Sequence, residues 1–153
     1  MKRHIYNKRQ QHNAYTSMKE NLESFEMLIH VDYSENYKSS QQNEIQSAYF
    51  GNHSFSLFTA CAYYKDITTD DHKLSKIPQT ITSECRDKDR TASITCVDKA
   101  ISHVRSIIPN AIEKVHVFLD GCTAQFRSRF VFALVTEIQR DVEIIWHYNE
   151  APS

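Results

Sequence analysis

The stretch VHVFLDGCTAQFRSRFVFALV, residues 115–135, contains two periodicities in succession. Val115–Leu119 is a short, nearly continuous apolar run, the length and character of a buried strand. Asp120-Gly121 is a turn pair. From Thr123 to Gln139 the spacing becomes helical, with Phe126, Phe130, Ala133, Leu134 and Ile138 along one stripe. VEIIWH, residues 142–147, then reads as another strand. Strand, helix, strand in this order predicts two parallel strands joined by a crossover helix.

Upstream, Ala92 to Ile108 reads as a helix, with Val97, Ala100, Ile101, Val104 and Ile108 on one face and Pro109-Asn110 as its stop. EMLIHVDY (Glu26–Tyr33) reads as a strand apolar enough to be covered on both faces. SFSLFTACAYYK (Ser54–Lys65) is an aromatic, β-branched strand after the turn signal Gly51-Asn52. Gln79 to Cys85 reads as a third strand, and Asp66 to Gln79 as a surface loop. The predicted class is therefore α/β: an early antiparallel meander, later parallel strands, and helices on the faces of one mixed sheet. Residues 1–24 are polar and basic and read as an arm preceding a domain over 25–153. Ala14 to Glu23 has a thin helical stripe, and Lys2, Arg3, Lys8 and Arg9 either touch phosphate or form a solvated charged face.

At 153 residues the chain is one domain by default, long enough to bury a core without staples. Its net charge of −1 neither requires nor excludes a nucleic-acid partner, which would need a local basic surface. With only two glycines, Gly51 and Gly121, it has no Gly-rich phosphate loop. Cys61, Cys85, Cys96 and Cys122 form no CxxC and read as reduced thiols of an intracellular, non-secreted protein. The N-terminus lacks the apolar run of a secretory signal, and no apolar run is of membrane-spanning length.

Asp32 follows LIHV and Asp120 follows VHVFL, so each is a carboxylate at the carboxyl end of an apolar strand, where open α/β sheets bind ligands. Each alone has a bland reading: Asp120 as a cap of the next helix, Asp32 as the start of a polar loop. If the two strands are neighbours, the carboxylates converge, and a divalent cation relieves their repulsion. Hard oxygen ligands select Mg²⁺ or Mn²⁺. Gln125, Arg127 and Arg129, at the start of the following helix, and Lys38, just after Asp32, are candidate nucleic-acid contacts. Arg127 and Arg129 cannot both face the same way. Glu35, Asn36, Glu44 and Gln46 are weaker candidates. His30 and His116 read as core or supporting residues, and Asp70, Asp71 and His72 as a solvated loop. No serine or cysteine nucleophile signature occurs.

VDYSENYKSSQQNEIQSAYF, FLDGCTAQFRSRFVF and IIWHYNEAPS together resemble a transposase-like family of the DDE/D type, abundant in invertebrate genomes, over roughly residues 26–153. The resemblance implies an RNase H-like fold, incomplete at the C-terminus, with Asp32 and Asp120 as catalytic metal-binding acids. It further implies Mg²⁺ or Mn²⁺ as cofactor, DNA as partner and a nuclear location. The family's third acid belongs to a His-Gly-Lys-Gly and Asp-Gly region that would follow the last strand. That region is not in this sequence, so the resemblance reads as a truncated copy, inactive alone, with Glu143 and Glu150 as partial substitutes.

Two other classes fit part of the pattern. A domesticated RNase H-like module would bind nucleic acid or protein without cleaving. A von Willebrand A-type domain would hold one metal through Asp32-x-Ser34-x-Asn36, although Asn36 breaks that motif.

Overall fold

The computed structural model describes residues 2–33, 37–38, 54–83, 90–119 and 141–148. Its elements are α1 (Lys2–Glu20), β1 (Glu26–Tyr33), β2 (Tyr37–Lys38), β3 (Ser54–Lys65), β4 (Leu74–Ser83), α2 (Arg90–Ile107), β5 (Lys114–Leu119) and β6 (Glu143–Tyr148). One mixed sheet holds all six strands. Its five longer strands lie in the order β4-β3-β1-β5-β6. β1, β3 and β4 form an antiparallel meander, while β1, β5 and β6 run parallel. The two-residue β2 pairs antiparallel with the start of β3. The mixed α/β class expected from the sequence is therefore present.

The two faces of the sheet are covered differently because side chains alternate along each strand. On one face Met27, Ile29 and Val31 of β1, Phe58, Ala60 and Ala62 of β3, and Val115, Val117 and Leu119 of β5 pack with Val97, Ala100, Ile101 and Val104 of α2. On the other face Leu28 and Phe118 pack with Leu22, Tyr15 and Met18 at the C-terminal side of α1. β1 and β5 thus lie between two helical layers, which is why their sequences are almost wholly apolar. Each large aliphatic side chain buried there contributes about 1.5–3 kcal/mol.

Two segments differ from the sequence reading. Residues 2–20, expected as a polar arm, form a helix whose last turns dock on the sheet. Tyr15 and Met18 of its C-terminal half are the described residues of that thin stripe that pack on the sheet. β4 begins at Leu74, five residues before the expected start at Gln79. Pro78 and the polar run around it read as loop, yet β4 is the outermost strand of the sheet, where a missing N–H need not break a ladder. Ile77 and Ile81 face inward, Lys76, Pro78, Thr80 and Thr82 outward, and inward-facing Gln79 donates to Ala100 O (3.4 Å), so a polar residue hides the alternation. The expected helix Thr123–Gln139 lies outside the described residues.

Candidate functional site

Asp32 is the exposed penultimate residue of β1, and its backbone oxygen accepts a hydrogen bond from Thr59 Oγ1 (3.3 Å) on β3. β1 and β5 are direct parallel neighbours, and their last described pair is Val31 with Leu119. These residues immediately precede Asp32 and Asp120, so the adjacency that convergence of the two acids requires is present. Asp120, Gln125, Arg127 and Arg129 lie outside the described residues, as do Glu35, Asn36, Glu44, Gln46 and Glu150; Lys38 lies in β2, with its side chain outside the description. Among the described residues no three His, Cys, Asp or Glu side chains are grouped to hold a metal. Asp32 supplies one exposed hard-oxygen ligand at the sheet end, which fits Mg²⁺ or Mn²⁺ in donor type.

Glu143 does not reach this end. It opens β6, pairs in register with Lys114 at the start of β5, and lies 3.8 Å from the Lys114 Nζ. The length of β5 separates it from the Asp32 end, roughly 17 Å at the usual strand rise. It therefore cannot substitute for an acid beside Asp32.

Below Asp32 the α1 face carries a polar and aromatic group. Cys61, His30, Phe118 and His147 are successive register neighbours across β3, β1, β5 and β6. The next row toward the strand starts is Tyr63, Leu28, His116 and Ile145. His147 stacks on Phe118, with ring centroids 4.4 Å apart and 10° between planes. Tyr15 of α1 meets Phe118 edge-on at 5.0 Å and His30 at 5.8 Å. Burial raises the Tyr15 phenol above its ordinary range. Tyr63 is raised more strongly, by its hydrogen bond to Cys61, by burial and by Tyr15.

The two buried-side histidines form one unit. His116 Nδ1 lies 3.2 Å from His147 Nε2, so one of the two nitrogens must carry a proton. The ring centroids are 5.4 Å apart, close to the span of two rings meeting end to end. Hence the two lone-pair directions oppose one another, which suits a shared proton better than a chelated ion. His116 Nε2 lies 3.8 Å from Glu26 Oε1, a charge contact that favours a proton on that nitrogen. Burial, followed by the neighbouring His116, depresses the pKa of His147. Partial burial pushes the Glu26 carboxyl up, but the Glu23 N–H (3.2 Å), Lys114 (3.4 Å) and His116 together hold it below the usual carboxylate range.

The sequence reading placed His30 and His116 as core or supporting residues, and both are inside the sheet layer. It gave no role to His147, Glu26, Tyr15 or Tyr63. The available signal was alternation: His30 and Asp32, like His116 and Phe118, are two apart and share a face. Asp70, Asp71 and His72 are exposed in the β3–β4 turn, as expected.

A family model described as "Domain of unknown function (DUF8701)" matches residues 11–152. None of the curated proteins compared with the chain matches it.

Proposed function

The chain belongs to the DUF8701 family, and on that premise we propose that it is a metal-dependent nucleic-acid-processing domain of RNase H-like, DDE/D transposase type. Asp32 and Asp120 are its metal-binding acids, and DNA is its substrate. The observation that carries this reading is the β1–β5 adjacency, whose last described pair, Val31 and Leu119, stands directly before the two acids. The strand order β4-β3-β1-β5-β6, with an antiparallel meander on one side and parallel strands on the other, fits an RNase H-like sheet. The same meander disfavours a von Willebrand A-type domain, whose sheet is mostly parallel.

When bound, a divalent ion supplies Lewis-acid stabilisation at a phosphodiester and a more acidic water. The chain's own residues hold and orient. Asp32 offers its carboxylate from a strand fixed on both faces, so the ligand is placed by packing rather than by a mobile loop. Thr59 anchors the backbone oxygen of Asp32.

Mn²⁺ titration of the full chain tests the reading. Asp32→Asn and Asp120→Asn should each lower Mn²⁺ affinity by tenfold or more, without loss of the folded signal in circular dichroism. Unchanged Mn²⁺ affinity in both variants would sink the assignment.

A further inference from the structure

Among the described residues the exposed large apolar side chains are Phe25, Ile67 and Ile107, at 40%, 43% and 54% of full exposure. All of them stand at the end of the sheet opposite Asp32: Phe25 precedes β1, Ile67 follows β3 and Ile107 closes α2. Asn110 draws these places together, because its Nδ2 donates both to Ser24 O (2.8 Å) and to Lys65 O (2.7 Å). The backbone at each place is held by hydrogen bonds. Phe25 O accepts from the N–H groups of Glu113 (2.9 Å) and Lys114 (3.3 Å). Beside Ile67 the Asp66 N–H donates to Lys73 O (2.9 Å), and Asp66 Oδ1 accepts from the Thr68 N–H (2.9 Å) and O–H (2.6 Å). Apolar side chains scattered singly over a surface need no explanation, but their gathering at one end, on a backbone fixed in advance, points to a binding surface.

The charge at this end is one-sided. Glu20, Glu23, Asp70, Asp71, Glu113 and Asp141 are exposed there, while among the described residues Lys73 and Arg105 are the exposed Lys and Arg of the same loops and helix end. Glu143 is matched by Lys114, 3.8 Å away. Carboxylates around an apolar patch repel phosphate chains and anionic lipid headgroups. A symmetric contact with a second copy would set acid against acid. What fits apolar side chains rimmed by carboxylates is a protein segment whose apolar anchors are flanked by Lys and Arg.

We infer that Phe25, Ile67 and Ile107 form a docking surface for a basic, amphipathic segment of a partner protein. The apolar side chains supply the desolvated centre of the contact, and the carboxylates around them steer and select the basic segment. The surface lies at the end of the sheet away from Asp32, so it does not rest on the metal-site reading.

Fluorescence anisotropy of the full chain with a labelled Leu/Lys peptide, its leucines at i, i+3, i+4 and i+7, tests the surface. Ile67→Ser/Ile107→Ser should weaken binding by about tenfold or more. Asp70→Asn/Asp71→Asn should weaken it less and make it less sensitive to salt. A Leu/Glu peptide of the same pattern should not bind. Wild-type affinity in Ile67→Ser/Ile107→Ser, or no saturable binding of the Leu/Lys peptide, would overturn the surface. Equal binding of the Leu/Glu peptide would overturn a basic segment as its occupant. Self-association in sedimentation that Ile67→Ser/Ile107→Ser abolishes would overturn it too, in favour of a second copy. If the double variant loses its folded signal in circular dichroism, Ile107→Ser alone, at the most exposed of the three positions, carries the same comparison. Mn²⁺ affinity should be the same in wild type and Ile67→Ser/Ile107→Ser, so the docking surface and the metal site can fail separately.

Discussion

Asn110 shows how one side chain can serve two levels of structure. Beside Pro109 it reads as a helix stop, and α2 does end at Ile107. In the fold it is buried, and its Nδ2 donates to Ser24 O (2.8 Å) and Lys65 O (2.7 Å), tying the approach to β1 to the end of β3. Two half-buried carbonyls accept from this amide. Asn110→Ala should therefore destabilise the protein by about 1–3 kcal/mol, read from urea denaturation. Asn110→Asp should cost more, because a carboxylate would face two carbonyl oxygens. A stability within error of wild type for both variants would show that the tie contributes nothing. Nothing local in the sequence marks this role, since the partners lie 86 and 45 positions away.

At the scale of elements, α1 docks on the sheet face that also carries a side-chain tie between β5 and β6. Leu22 is fully buried at the foot of α1. Leu22→Ala should cost about 2–5 kcal/mol and expose α1 to proteolysis before the rest of the chain. Limited proteolysis with the same cleavage order as wild type would contradict that docking. β6 is tied to β5 through His116 and His147, with Glu26, Lys114 and Glu143 as the charged neighbours. The pKa of His147 is depressed in the folded state, so below its ordinary value the unfolded chain binds a proton that the folded chain refuses. Stability should then fall as pH drops through about 6.5 toward the lower folded value. His147→Gln should flatten this fall in denaturation midpoints measured between pH 7.5 and 5.5. Glu26 acts in a lower window: its folded pKa is also depressed, so its contribution is present above the ordinary carboxylate range and is lost as pH falls through the folded value.

At the scale of the whole molecule, an ion held at the proposed site would be linked to stability. An ion that binds only the folded chain raises its stability, by about 1.4 kcal/mol at ten times the dissociation constant. Mn²⁺ should therefore raise the Tm of wild type and leave Asp32→Asn unmoved, while that variant without metal should lie within about 0.5 kcal/mol of wild type because Asp32 is exposed. A Tm rise of equal size in both would show that the ion binds elsewhere. Among the described residues no helix is long and apolar enough to cross a membrane.

What could be read from the amino-acid order alone was whatever follows from short-range periodicity. EMLIHVDY and VHVFL declare themselves as buried strands, Val97 to Val104 as a helix face, and Asp32 as a strand-end residue, because alternation and helical spacing are local properties of the chain. Pro78 and Gln79 hid the first half of β4, because only its place at the edge of the sheet makes that proline tolerable. The docking of α1 also lay beyond local pattern. Tyr15, Met18 and Leu22 form too thin a stripe to announce a partner, and it is their contact with Leu28 and Phe118 that makes them core. The same holds for the neighbourhood of β1 and β5 and for the pairing of His116 with His147. Residues far apart in the chain acquire a shared environment only when the sheet sets strand order and register, and that choice is made by burial on both faces at once, which no local window contains.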